Sequence, residues 1–206
     1  MLVIKIGGSL FDDPKLSEWL KILSEEGAGK VVIVPGGGPF ADQVRNAQNR
    51  WKFNDQQAHQ MALHAMDQFG LMLVGVAKEQ GYDLFPVNSK QEIHKILASK
   101  KTPVWLPSKW LEKKSEIPQN WSITSDSLSA WLSKQLEADH LILIKSISPI
   151  ETDITFEELE KKNVIDPCLK GYARGEAFKT SYISFSLFSE FKKMLEKENH
   201  TGPYIS

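Results

Sequence analysis

The chain carries a single cysteine, Cys168, in 206 residues. That excludes an internal disulfide and makes a reducing compartment the expectation. No apolar run approaches the roughly 18 residues a membrane helix needs, and no apolar h-region of a secretory leader follows Lys5. The expected location is cytoplasmic, with no membrane partner. Charge of one sign is also lacking: 25 Lys+Arg against 26 Asp+Glu leave a formal net charge of −1. No basic field therefore argues for a nucleic-acid partner. The patterns G-x-x-x-x-G-K-[ST] and G-x-G-x-x-G are absent, so neither a P-loop nor a dinucleotide fingerprint is present. No Asp/Glu cluster reads as a metal cage, and His59 and His64, five apart, do not share a helix face.

What is present is organised around the first ten residues. Leu2-Val-Ile-Lys-Ile6 is a short β-branched run that stops on Gly7-Gly8-Ser9, the signature of a buried strand. The glycines let the backbone turn sharply and approach a ligand, and the helix that follows points its first N–H groups into the same space. Lys5 is a candidate point charge beside this anion site. A matching stretch follows: Val31-Val-Ile-Val34 ends on Pro35-Gly-Gly-Gly-Pro39, and helical spacing resumes at Phe40, Val44 and Ala47. Two strands ending in glycine loops that open helices place a ligand site beyond the carboxyl ends of a parallel sheet.

Leu16, Trp19, Leu20 and Leu23 fall at i, i+3, i+4 and i+7, a helix laying one face on a sheet, with Asp12 or Asp13 as its cap and Pro14 in its first turn. Strand, helix and strand make a right-handed βαβ unit. Gln56–Gln80 is the longest helical stretch, weakened by Gly70 and Gly75 where close packing is expected. Its Met- and Ala-rich face is a candidate subunit interface, and His59 upon it is a candidate contact for a ligand phosphate. Asp83–Val87 reads as an edge strand because of Pro86. Pro103–Leu106 and Leu141–Lys145 are further strands. Lys109 and Trp121, around an aperiodic stretch, are read first as an exposed lysine and a packed ring, with pocket lining as the alternative. Asp126 has the position of an N-cap, Thr155-x-x-Glu158 that of a capping box, and Asp166–Ala177 reads as a basic loop. Tyr182–Phe185 and the tail 202–206 are expected as strands. One domain of α/β type over 1–206 results, a three-layer sandwich around a mainly parallel sheet.

Lys5-Ile-Gly-Gly-Ser9, Pro35-Gly-Gly-Gly-Pro39 and Thr124-Ser-Asp-Ser127, in that order, resemble the amino acid kinase superfamily. Ala58-His59, Ala62, Met66-Asp67, Leu106-Pro-Ser-Lys109 and Ile123-Thr-Ser-Asp-Ser-Leu128 are most similar to its compact archaeal and methylotroph branch, related to aspartokinase. That branch includes a kinase acting on [5-(aminomethyl)furan-3-yl]methyl phosphate in methanofuran or methylofuran synthesis. The resemblance implies an ATP-dependent small-molecule kinase with a phosphate monoester acceptor; a carboxylate or nucleotide monophosphate acceptor, or a non-catalytic relative binding a ligand or partner, are the alternatives. It implies that Lys5 contacts the transferring phosphoryl group, that Gly7, Gly8 and Ser9 hold the nucleotide phosphates, and that Gly36, Gly37 and Gly38 wrap the acceptor. Asp126 would orient lysines. The family's late second lysine has Lys170 and Lys179 as candidates, with Arg174 as a substitute or substrate contact. Mg²⁺ would arrive with ATP, and the implied assembly is a homodimer or larger homo-oligomer.

Three departures stand out. Lys145-Ser-Ile-Ser-Pro149 replaces the acidic Thr-Asp-x-x-Gly stretch with which relatives help to hold the nucleotide, and Lys145 and Ser146 are the nucleotide-binding candidates there. Phe40-Ala-Asp42 lacks the histidine expected for an isoprenoid acceptor. The stretch Asp166–Lys179 shows no clear catalytic lysine.

Overall fold

The computed structural model describes residues 1–112, 114, 116–147, 154–197 and 205. Six strands form one parallel sheet in the order β3-β4-β2-β1-β5-β6: β1 Leu2–Ile6, β2 Val31–Pro35, β3 Leu84–Val87, β4 Thr102–Trp105, β5 His140–Lys145 and β6 Lys179–Ser184. Helices cover both faces, so β1, β2 and β5 are buried along their whole length, as parallel strands must be. β1 lies at the centre, with Lys5 level with Val34 of β2 and with Leu143 of β5. The edge position of β3 accommodates Pro86.

Side chains alternate across the sheet. Leu2, Ile4, Ile6, Ile142 and Ile144 enter one core layer with Trp19 of α1 (Leu16–Glu25) and Phe191 of α9 (Phe188–Lys197). Val3, Leu141 and Leu143 enter the other, against Leu128, Leu132 and Leu136 of α6 (Ser125–Leu136). The phase of this alternation sends Lys5 and Lys145 toward α6.

The long helix α3 runs from Asp55 to Glu79, and its first half joins one core layer while its second half joins the other. At the crossing sits Gly70: a Cβ there would lie 2.7 Å from Leu106 Cδ2 and 3.1 Å from Pro35 Cγ. The close approach expected of Gly75 is absent, since open space surrounds it. Ser89 caps α4 (Lys90–Ala98) by accepting from Glu92 N, and Glu158 closes a capping box on Thr155 at the start of α7 (Phe156–Lys161). Two local expectations change. Helix α1 begins after Pro14, with Asp13 accepting from Lys15 N at 2.9 Å; proline's fixed φ serves the turn before the helix. The stretch read as a loop contains α8, Leu169–Ala173, because Leu169 and Ala173 supply one buried helical face. Of the tail expected as a strand, only Ile205 lies within the described residues, bridged to Ile154.

The two glycine loops meet backbone to backbone. A Cβ on Gly8 would stand 2.2 Å from the nitrogen of Gly38, at the start of α2 (Gly38–Trp51), where φ is +53°. Gly8→Ala is therefore expected to destabilise the chain by about 2–3 kcal/mol, the scale of overpacking that rigid backbone cannot relieve. A denaturation midpoint equal to that of the unaltered chain would contradict this contact.

Candidate active site

At the carboxyl ends of the neighbouring strands β1 and β5, two lysines converge on one carboxylate. Lys5 Nζ lies 2.9 Å from Asp126 Oδ1, and Lys145 Nζ lies 2.6 Å from Oδ2. All three side chains are buried. Lys145 also donates to the Val164 carbonyl at 2.6 Å. Burial alone would push the Asp126 carboxyl up; Lys145 and Lys5 overcome it and hold it at about 2. For Lys145, burial wins over the attraction of Asp126, and its ammonium is brought down to about 8. One carboxylate thus faces two ammonium groups under the glycine loops, and Asp166 attracts Lys145 from further off.

Asp126 is free for this work because it does not cap its helix. Thr124 is the N-cap residue of α6, and the capping acceptor comes from far along the chain. Asp166 Oδ2 accepts from Thr124 N at 2.9 Å, Thr124 Oγ1 at 2.7 Å and Ser127 N at 3.0 Å. Its Oδ1 accepts from Ser127 Oγ, and from Cys168 N and Leu169 N at 3.1 and 2.9 Å. One carboxylate thus closes the N-termini of α6 and α8 together. The N-cap reading of Asp126 is corrected accordingly: an acid at the second helical position cannot reach back as a cap, and it faces the sheet instead.

Two cavities are lined by residues that neighbour the lysine–aspartate cluster in the chain, Ser125 in one and Ser146 in the other. On the β2 side a cavity of about 430 Å³ is bounded by the glycine loops, α3 and the start of α6, with Ser9, Gly37, Gly38, His59, Trp121 and Ser125 on its wall. On the β6 side a cavity of about 310 Å³ is bounded by Asp13, Lys15, Ser146, Ile147, Ser184 and Ser186. Ser146 Oγ donates to Ser9 Oγ at 3.0 Å, so one hydroxyl from each cavity meets at the boundary, and Lys145 stands next to it in the chain. The Lys5 ammonium lies beside Gly7, 3.5 Å from where a Cβ would be.

The structure thus gathers Lys5, Gly7, Gly8, Ser9, Asp126, Lys145 and Ser146 in one place, with Gly37, Gly38 and His59 on the larger cavity. Gly36 lies just behind, its backbone against Gly8. Trp121 lines the cavity as well as packing, its face 4.3 Å from the Arg45 guanidinium. Lys109 lies in α5, Pro107–Leu111, outside that cavity wall. Three sequence candidates are placed elsewhere. Lys179 opens β6, paired in register with His140 at the amino ends of the strands, whereas the glycine loops lie at the carboxyl ends. Lys170 pairs with Glu157 on the surface, and Arg174 lies 3.7 Å from the same carboxylate. The part Asp166 plays for α6 was missed because its partners there are 39 and 42 residues away. Lys145 had a readable signal for its place beside Lys5, since it continues the phase of Leu141 and Leu143. Among the described residues, no group of three or more His, Cys, Asp or Glu side chains is placed to hold a metal ion, and no helix is long and apolar enough to cross a membrane.

The model of the amino acid kinase family matches residues 1–161. The chain belongs to the amino acid kinase family. It is 36% identical, over 152 residues, to the [5-(aminomethyl)furan-3-yl]methyl phosphate kinase of Methanocaldococcus jannaschii, covering 73% of this chain and 68% of that protein. Both findings make the chain a phosphotransferase. Its fold is similar to the UMP kinase of Ureaplasma parvum, with a TM-score of 0.74 and 18% identity over 100% of this chain and 98% of that one. Against the uridylate kinase of Archaeoglobus fulgidus the TM-score is also 0.74, at 16% identity over 100% and 99%.

A carboxyl held below its unfolded value stabilises the fold above the unfolded pKa and loses that contribution as the pH falls through the folded one. Asp126→Asn is expected to cost about 3–5 kcal/mol at neutral pH, by leaving two buried lysines without a counter-charge. The gap to the unaltered chain should narrow by roughly 2 kcal/mol between pH 4 and pH 2. Urea unfolding at stepped pH measures it; a gap independent of pH would refute the assigned ion pairs.

Proposed function

We propose that this phosphotransferase moves the γ-phosphoryl group of ATP to a phosphate monoester, with [5-(aminomethyl)furan-3-yl]methyl phosphate, the compound named for the relative, as its acceptor. The observation that carries this reading is the pairing of buried Lys5 and Lys145 on Asp126, next in the chain to Ser125 of the larger cavity and Ser146 of the smaller. The acceptor occupies the larger cavity, its phosphate at the glycine loops and the N-terminus of α2, where backbone N–H groups favour an anion. The nucleotide approaches from the β5–β6 side, past Ser146. An acceptor phosphate oxygen forms the new P–O bond as the bond from the γ-phosphorus to the bridging oxygen breaks, and that electron pair leaves on ADP.

An ionised phosphate needs no general base. What it needs is two anions held together in line, and phosphoryl transfer is mostly positioning and charge stabilisation. Lys5 is proposed to meet the transferring group. Lys145 is proposed as the second cation, and Asp126 as the residue that orients both ammonium groups. Lys145 in place of an acidic stretch then marks a relocated cation, which weakens the reading of a non-catalytic relative. Asp12 and Asp42 are the carboxylates on the larger cavity and form no cage, which fits Mg²⁺ entering on the nucleotide. There it would neutralise charge on the leaving phosphates. We also propose that α3, which leaves Leu71 51% exposed, packs against a second copy of the chain; a monomeric mass by sedimentation at working concentration would overturn that.

The test of function is ADP release with Mg²⁺ and the aminomethylfuran phosphate, UMP, isopentenyl phosphate, aspartate or acetylglutamate. Release is expected with the furan phosphate and is expected to fall at least a thousandfold in Lys5→Ala, about 4 kcal/mol of lost charge stabilisation. Activity within tenfold in that variant would remove Lys5 from its role. A second prediction follows from the depressed ammonium. Lys145 is charged below about pH 8 and neutral above, so kcat/KM for ATP is expected to fall on the alkaline side of pH 8. Lys145→Arg keeps its charge at any working pH and should lose that limb. An unaltered alkaline limb in this variant would assign the titration to another group.

A further inference from the structure

A phosphate monoester presents the same anion whatever carries it, so selection among monoesters falls to the rest of the larger cavity. His59 is the buried polar side chain on that wall contributed by α3, with 7% of its surface exposed. Its imidazole lies against the backbone of Asn120, next to Trp121, an acceptor that favours a ring N–H on that side. A ring N–H spent on a carbonyl leaves the other nitrogen of a neutral imidazole as a bare acceptor. Burial holds His59 below the ordinary histidine value and the Asn120 contact only partly offsets it, so the ring is neutral at pH 7. Such a nitrogen turns a lone pair toward the oxygens of a phosphate, which disfavours the phosphate contact expected of His59 from sequence, and it welcomes an N–H donor.

The charges on the same wall agree. Arg45 is engaged by Asp42 at 2.9 Å and by the face of Trp121. Asp12 and Asp42 together outnumber this one guanidinium on the cavity wall. The glycine-loop end suits an anion, and the rest of the wall suits a flat ring and a cation.

We propose that His59 is a specificity residue: a ring nitrogen of His59 accepts a hydrogen bond from an ammonium group on the acceptor, fixing the acceptor's far end while the glycine loops hold its phosphate. This rests on the acceptor reading above and adds the chemical class it selects, a phosphate monoester that also bears a primary amine. Calorimetry on the intact chain compares [5-(aminomethyl)furan-3-yl]methyl phosphate with (5-methylfuran-3-yl)methyl phosphate, which keeps the ring and the phosphate and lacks the amine. The amine-bearing compound is expected to bind at least tenfold more tightly. His59→Leu should bring the two within threefold, and His59→Gln, which retains a donor and an acceptor, should keep most of the preference. His59→Phe serves where His59→Leu does not fold. Equal affinities in the unaltered chain, or a tenfold preference surviving in His59→Leu or His59→Phe, would overturn the role of His59. ADP release is scored separately: binding with the expected preference but no turnover would overturn the kinase reading alone, and no binding of either compound would overturn both.

Discussion

One carboxylate shared by two buried ammonium groups is the constraint on which the rest depends. Moving an ion out of water costs several kcal/mol even after relaxation, and Lys5 and Lys145 stand on adjoining strands where their charges repel. Among the described residues, Asp126 is the one carboxylate in contact with both, and Asp166 adds a weaker attraction on Lys145. A site in this condition is stabilised by whatever anion arrives, and on the proposed reaction two arrive together. The depressed value of Lys145, about 8, expresses the same imbalance: the folded chain holds this proton less firmly than water would, because burial and the neighbouring lysine outweigh the shared acid.

Holding Asp126 in that position requires that something else satisfy the start of α6. The exposed N–H groups of a helix end need acceptors, and the side chain of the N-cap residue is the usual supplier, a part Thr124 does not play here. Asp166 takes this part from the far side of the chain, while Val164, two residues earlier, gives its carbonyl to Lys145. One short segment therefore locks both the helix that presents the acid and the lysine that meets it. The contact of Gly8 with Gly38 has a complementary effect. By letting two loop backbones touch, it brings the N-terminus of α2 and the end of β1 to one cavity, so the anion-binding groups and the lysines face the same space.

The fold was legible because parallel strands buried on both faces announce themselves as apolar runs, and because glycine runs close two of them. The core of the site was legible for the same reason: Lys5 breaks an apolar run, and Thr124–Ser127 opens an amphipathic helix. Lys145 could be read by phase, since in Leu-Ile-Leu-Ile-Lys it falls on the side of Leu141 and Leu143, as Lys5 falls on the side of Val3. Lys170 and Lys179 carry the charge without the position: Lys170 lies in α8 and Lys179 at the start of β6. Lys179 begins its strand, and a residue at the amino end of a parallel strand is a full strand length, five steps of about 3.3 Å, from loops at the carboxyl end. Asp166 carried a local signal only for its own helix, since it accepts from Cys168 N and Leu169 N at the start of α8. Its bonds to α6 exist only in the folded chain, and no periodicity describes a cap delivered from 39 residues away.

The match to the family model ends at residue 161, and Val164 and Asp166 lie just beyond it. The part of the chain that makes the lysine pair rigid is thus the part that the family pattern leaves undescribed. A lysine delivered by β5 needs no later element to carry it into the site; it arrives with the central sheet, in register with Ser184 of β6. What the later segment must then supply is an acceptor for its second N–H and a cap for α6, and Val164 and Asp166 are those two groups. On the proposed mechanism, the transfer of positive charge from a late position to the sheet itself shifts the task of the carboxyl-terminal third from carrying charge to holding it still.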